Sequence, residues 1–232
     1  MGTRTLVLAL YAEGPTDNHF LPSIIQRTAE RIINYYGRDI VDVLEPIIVP
    51  KQTGKNHAVC ILSAARYAHG YDALIVHADA DDRSSDAAKL HRIEPGFNLV
   101  FKTNADVCKN LLPLIPVQMI ESWMLADHTA LREVIGTDLS PENLGLPSRP
   151  ALVEFDANPK QTLNDVIQKA LSNRPQRRRQ IDFNTRQETL ARKIDPNVLH
   201  SVPSYKEFSD NFKNTLEKLH FIPISTSKDA HD

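Results

Sequence analysis

Seven polar side chains gather in three short stretches of this sequence. "LVLALYAEGPTD" runs from an apolar segment into Glu13 and Asp17. "YDALIVHADADD" does the same into Asp79, Asp81 and Asp82, and "LIPVQMIE" leads to Gln118 and Glu121. A single acid of this kind is an ordinary strand or helix cap. Carboxylates delivered by three strand ends to one place repel one another, and a cation relieves the repulsion. An all-oxygen donor set selects Mg²⁺ or Mn²⁺, which keep water ligands and leave positions for phosphate oxygens. The chemistry that fits is metal-assisted phosphodiester hydrolysis or phosphoryl transfer.

For these acids to meet, the elements before them must be parallel strands. Residues 4–12 form a continuous apolar run, as in a central parallel strand. Phe20, Leu21, Ile24, Ile25, Ala29, Ile32 and Ile33 then recur at helical spacing, with Thr16 or Asp17 as the cap and Pro22 in the first turn. A second strand is expected over 43–50, followed by the loop "KQTGKNH" and a helix from Asn56 to about His69. A third strand is expected over 71–82, then a short polar helix, a fourth strand over 114–120 and its helix over 121–135. This alternation predicts an α/β fold over residues 1–135: a parallel sheet of about four strands with helices on both faces. In such sheets functional groups collect at the carboxyl ends of the strands. Beyond Gly136 the chain turns rich in Gly, Pro, Ser and Asn. Helices follow near 161–172, 186–194 and 205–219, predicting a helical extension over 136–232 that packs on the sheet domain and frays over 225–232.

Composition narrows the function classes. The chain has 232 residues, 41% of them hydrophobic, enough for one substantial core or one domain with an appendage. A formal charge of −2 means that a polyanionic partner must be met by local cations. The candidates are Lys51 and Lys55 on the loop after the second strand, with His57 beside them, and Arg177, Arg178 and Arg179 in "RPQRRRQ". For the loop, a solvated basic surface and a phosphate contact stand equal; for the arginines, a solvated charge run is the plainer reading. Cys60 and Cys108 lie far apart without a CxxC, which fits a cytoplasmic protein and neither a zinc site nor a disulfide framework. No stretch approaches the ~20 apolar residues of a membrane span, and the start reads as a strand rather than a signal peptide. "KQTGKNH" lacks the upstream glycine and the Ser/Thr of a P-loop. "DADDR" lacks the central glycine of an EF-hand. It also does not follow the first strand, as an aspartyl-phosphatase motif must. His77, inside a strand, reads as a satisfied core histidine, and Trp123 as core.

The pairing of "EGPTD" after the first strand with "DAD" after the third resembles the Toprim domain. That domain is shared by topoisomerases, bacterial primases, small RNA-maturing nucleases, recombination mediators and OLD-type nucleases. The resemblance covers roughly residues 4–135. The sequence is most similar to a prokaryotic Toprim-like family related to OLD-type nucleases and often encoded beside ABC-type ATPases. "IPVQMIESWMLAD" and "NPKQTL" resemble further motifs of that family. The resemblance implies that Glu13 moves a proton or binds metal and that Asp79 and Asp81 hold Mg²⁺. It also matches Asp17 to the second acid of OLD-type nucleases, which are thought to use two ions. The additional Asp82, followed at once by Arg83, leaves the ligand pair as Asp79/Asp81 or one that includes Asp82; residues 79 and 81 share one side of an extended strand. Glu121 and Asp127 in the fourth motif stand about 240° apart on a regular helix. Glu121 is therefore the candidate ligand, and Asp127 a supporting or capping residue. Lys160, in "NPKQTL", is either a partner for phosphate or developing charge, or a surface lysine near a helix start.

The expectation is a Mg²⁺- or Mn²⁺-dependent nuclease of Toprim type, acting on nucleic acid, DNA ahead of RNA, in a defence or repair system. A topoisomerase would need a further domain with a tyrosine nucleophile, a recombination mediator a cysteine zinc motif, and a primase additional regions. Two alternatives stand beside it: a non-catalytic or conditionally active partner subunit of an ABC-type ATPase, and a phosphoryl-transfer enzyme acting on a small nucleotide. Replacing Arg177, Arg178 and Arg179 with Ser should weaken oligonucleotide binding evenly across sequences. It should also flatten the log–log salt dependence by roughly one unit per lost phosphate contact. Fluorescence anisotropy across a salt series measures this, and an unchanged slope would assign the arginines to solvent or to a protein contact.

Overall fold

The first apolar run makes two strands, β1 (Arg4–Leu6) and β2 (Leu8–Tyr11), in a computed structural model that describes residues 3–172 and 182–224. The break falls at Val7, whose amide donates to Asp72 Oδ2 at 2.7 Å instead of to a neighbouring strand. The expected second strand splits likewise into β3 (Val41–Val43) and β4 (Ile47–Ile48), with Glu45 and Pro46 between them; Pro46 has no N–H to give a ladder. β1 pairs with β3 and β2 with β4. On the other side of β2 lie β5 (Ala73–His77) and then β6 (Leu111–Leu114), giving the order β4-β2-β5-β6, all parallel. The protein is thus α/β, with two- and four-stranded parallel sheets flanked by helices and a C-terminal helical region.

The helices are α1 (Leu21–Tyr36), α2 (His57–Tyr67), α3 (Asp86–Ala88), α4 (Glu94–Lys102), α5 (Glu121–Ala126), α6 (His128–Ile135), α7 (Pro141–Leu144), α8 (Pro159–Ser172), α9 (Asn184–Lys193), α10 (Pro196–His200) and α11 (Pro203–Lys218). Side chains alternate across each strand. Leu8, Leu10, Ile75, Leu112 and Leu114 face one core, shared with α1, α5, α6, α8, α9 and α11. Ala9, Tyr11, Leu74 and Val76 face the other, shared with α2 and α4. On that second face α4 lies close against α2: a Cβ at Gly96 would meet Ile61 Cδ1 at 2.5 Å.

Three local expectations need correction. The fourth strand occupies 111–114, not 114–120. It is the sheet's edge and tolerates Pro113 there; Pro116 follows as the chain leaves the strand. The helix expected over 121–135 is two helices. Asp127, at φ −97 and ψ 94, ends α5 and caps α6. Neither Thr16 nor Asp17 caps α1. A 3₁₀ turn over Asp17–His19 intervenes, and the Asp17 carboxylate accepts from the Gly14 amide at 2.9 Å. Asn56 does cap α2, accepting from the Val59 amide at 3.0 Å.

The chain runs from β2 outward to β4, then returns to place β5 and β6 on the opposite side. The tips of β2 and β5 therefore flank the point where strand order reverses, the usual ligand crevice of an open parallel sheet. The other side of the molecule is tied together by Trp123. Its ring is fully buried, its Nε1 donates to Ser204 Oγ at 2.8 Å, and it meets Tyr205 edge-on at 5.2 Å between centroids. This joins α5 to α11. Trp123→Ala should lower stability by about 3–5 kcal/mol in urea titration. A loss below about 1 kcal/mol would show that the C-terminal helices are held by other contacts.

Candidate active site

β2 ends at Tyr11 and β5 at His77, one position beyond Val76, the register partner of Tyr11. Two residues beyond each tip stand Glu13 and Asp79. They touch: the Asp79 amide donates to Glu13 Oε2 at 3.2 Å. His77 is the last residue of β5 and is completely buried. Its Nδ1 lies 3.3 Å from Asp17 Oδ2 and its Nε2 3.3 Å from Asp79 Oδ1. The second is a close charge contact and not an aligned hydrogen bond, since Nε2 has no partner of hydrogen-bond geometry. The Glu13 amide also reaches Nδ1 at 3.5 Å, the outer limit for a hydrogen bond. Two carboxylates at shorter range outweigh it, and the ring is an imidazolium. Burial alone would lower the His77 pKa, but Asp17 and Asp79 raise it to about 9. The sequence reading of His77 as a satisfied core residue thus gains a specific content: it is the cation between two of the predicted acids.

Asp17 is buried beside it. Burial pushes its pKa up, but His77, the Gly14 amide and the charge of Lys160 together hold it below the ordinary carboxylate value. Glu121, at the start of α5, has a raised pKa. Burial is the main cause; Asp79 and Asp17 add to it, while its own backbone amide and Lys160 oppose it. Glu121 and Lys160 therefore stand near enough to the Asp17–Asp79 cluster for their charges to act on it. Lys160 is an exposed side chain on the first turn of α8, so the C-terminal region reaches this edge of the sheet.

Asp81 and Asp82 lie past the strand, and the alternation of an extended strand no longer sets their directions. Asp81 has φ 52 and its side chain is largely exposed. Asp82 Oδ1 accepts from the Arg83 amide at 2.6 Å, closing a local turn. Asp127 accepts from the amides of Thr129 at 3.1 Å, Ala130 at 3.0 Å and Asp195 at 2.8 Å, which makes it a cap and a tie between helices. Lys51 and Lys55 are exposed on the loop after β4. The residue that follows their loop, His57, senses the charges of Glu13 and Arg92; burial lowers its pKa, Glu13 opposes this and Arg92 reinforces it. Arg177, Arg178 and Arg179 lie outside the described residues.

The residue that sequence reasoning missed is Arg92. A π-helical turn, Lys89–Ile93, carries it back over the strand tips. Nη2 donates to Glu13 Oε1, and Nη1 donates to the Asp79 carbonyl at 2.7 Å and to Asp81 Oδ2 at 3.0 Å. Such turns recur at functional sites, but no pattern of residue types announces one.

Among the described residues, no three His, Cys, Asp or Glu side chains form a ready cage for one ion. Mg²⁺ does not require a cage; one or two carboxylates, waters and substrate phosphate commonly hold it. Glu13 and Asp79, linked through the Asp79 amide and both partly exposed, bring two carboxylates of the type such an ion takes to one edge.

Removing the buried imidazole would leave Asp17 ionised without its partner. His77→Gln should cost about 3–5 kcal/mol. Adding Asp17→Asn to that variant should recover part of the loss, and a double-mutant cycle reads the coupling directly. Additive losses would mean that the two side chains do not act as a pair.

A family model described as a domain of unknown function (DUF4276) matches residues 12–213. No curated protein and no solved structure matches the chain.

Proposed function

The chain belongs to the DUF4276 family, and we propose that it is a Mg²⁺- or Mn²⁺-dependent phosphodiesterase of Toprim type that cleaves nucleic acid, DNA ahead of RNA. The observation that carries this reading is the contact between Glu13 and Asp79 at the tips of the two central strands, with Asp17 and Glu121 beside them. A cluster of four carboxylates at a strand-order reversal suits cation-assisted chemistry on an anionic ester.

Glu13 and Asp79 would hold the ion, with Glu121 and Asp17 adding negative charge behind them. A bound divalent ion would supply charge neutralisation of the phosphodiester and an easier deprotonation of the attacking water. In the reaction, water adds to phosphorus, the bond to one ester oxygen breaks, and that oxygen leaves as an alcohol once protonated. The protein's own residues fix the geometry. His77 keeps Asp17 ionised and stands against Asp79 Oδ1 at 3.3 Å. The Ile120 amide, donating to Asp79 Oδ1 at 3.1 Å, orients that carboxylate further. Lys160, whose charge reaches Asp17 and Glu121, would take a non-bridging phosphate oxygen.

Glu13→Gln and Asp79→Asn change charge and little else. Each should fold normally and lose at least about a hundredfold in cleavage rate. The measurement is release of fragments from single- and double-stranded DNA and RNA with Mg²⁺, Mn²⁺ or a chelator. Parental rates in both variants would place the chemistry elsewhere. Nucleic-acid binding without turnover, restored by an ATPase partner, would favour the partner-subunit reading.

A further inference from the structure

Arg92 competes for the oxygens that the proposed ion needs. Its guanidinium engages Glu13 Oε1 and Asp81 Oδ2, two carboxylates of the cluster, while its third partner is a neutral acceptor, the Asp79 carbonyl. Arginine does not lose its proton in proteins, so this positive charge is permanent. Its side chain is 27% exposed, against 0% for His77. His77 is sealed between its acids; Arg92 lies at the surface of the cluster, where its partners can be exchanged.

A divalent ion bound at Glu13 Oε1 would repel the guanidinium that shares this oxygen. When the ion takes that oxygen, Arg92 loses one of its two carboxylate partners. The Asp79 carbonyl still anchors one of its nitrogens, so the group stays beside the ion with N–H donors free. A planar fork of donors next to a divalent ion suits a phosphate oxygen. Nearby, His57 Nε2 is buried with no hydrogen-bond partner among the described residues. His57 lies close enough for Arg92 to influence its protonation. A phosphate held by Arg92 would give that nitrogen a partner.

We infer that Arg92 is an exchangeable counter-ion: it holds Glu13 and Asp81 in the ion-free protein, a divalent ion displaces it, and the released guanidinium binds a phosphate oxygen of the substrate. The inference rests on the reading that a divalent ion binds at Glu13 and Asp79, and it adds an order to the events: ion first, substrate phosphate second.

Calorimetric titration of Mn²⁺ into the parent, Arg92→Gln and Arg92→Lys tests the first half. Loss of a partly exposed, doubly paired competitor should tighten Mn²⁺ binding by about three- to tenfold in Arg92→Gln. Arg92→Lys keeps the charge but lacks the planar fork of donors, and should fall between; it carries the test if Arg92→Gln does not give a normal thermal unfolding transition. Anisotropy of a labelled oligodeoxynucleotide, with and without Ca²⁺, tests the second half. Ca²⁺ should strengthen binding to the parent and do so much less for Arg92→Gln. Equal Mn²⁺ affinity in all three proteins, or a Ca²⁺ effect preserved in Arg92→Gln, overturns the inference while leaving the ion-binding reading intact. Failure of all three to bind Mn²⁺ overturns both.

Discussion

The buried imidazolium of His77 is the interaction on which the rest of this edge depends. Glu13, Asp17, Asp79, Asp81 and Glu121 are gathered beyond the tips of adjacent strands, and Asp17 is buried. An isolated carboxylate in that position would cost several kcal/mol, and the usual response is to take up a proton. His77 prevents this by standing 3.3 Å from both Asp17 and Asp79. Because it is the last residue of β5, its position follows from the β2–β5 ladder, in which Tyr11 faces Val76. Strand register and charge balance are one constraint here. A slip by one residue would turn His77 to the opposite face of the sheet and leave Asp17 without its cation.

The loops beyond the strands extend that constraint outward. Asp81 and Gln118 both adopt left-handed backbone, φ 52 and φ 58, though neither is glycine. Such residues cost of order 1–3 kcal/mol each and persist only where their surroundings hold them. They hold each other. The Asp81 amide donates to the Gln118 carbonyl at 2.8 Å, and the Gln118 amide to the Asp82 carbonyl at 2.9 Å. The parallel ladder thus continues past β5 and β6 as two paired loops. One consequence is that Ile120 arrives with its amide on Asp79, so that this carboxylate is aimed from two sides. The two resident cations of the cluster divide accordingly. His77 belongs to the rigid ladder, and Arg92 to a separate helical turn that can release its partners.

Much of this was legible in the sequence. Apolar runs that end abruptly in acids gave the strand tips, because burial on both faces demands unbroken hydrophobicity and leaves the charges nowhere else to go. Strand lengths were less legible. The break at Val7 depends on Asp72, sixty-five positions away, and such a partner leaves no local mark. The fourth strand was misplaced because Ile115, Val117 and Ile120 are apolar for a different reason: they bury the paired loop, not a ladder. Asp127 looked like part of a continuous helix because its neighbours keep helical spacing on both sides. Only its capping bonds reveal the joint. Arg92 carried no signal at all, since its reach depends on a π-helical turn. His77 was identifiable as buried, but its two carboxylate partners required the fold.

The C-terminal helices are bound to the same charge centre. The core on one face of the sheet runs without interruption from Leu6 to Ile222, through the turn at Gly136. Asp127 caps α6 and also accepts from the Asp195 amide before α10, so one carboxylate fixes two helices on either side of that turn. Arg27 on α1 donates to the carbonyls of Ala191 and Ile194 at 2.6 and 2.7 Å, closing the end of α9. α8 packs directly against α5 in the same core, and that packing sets where Lys160 stands relative to Asp17 and Glu121. An extension that merely decorated the sheet would need none of them. Among the described residues its apolar stripes join this core, and Lys160 adds positive charge near carboxylates that the sheet supplies. The acids and the helices that follow them are therefore one electrostatic and packing unit. The length of chain beyond the last strand is part of what makes so dense a cluster of carboxylates tolerable.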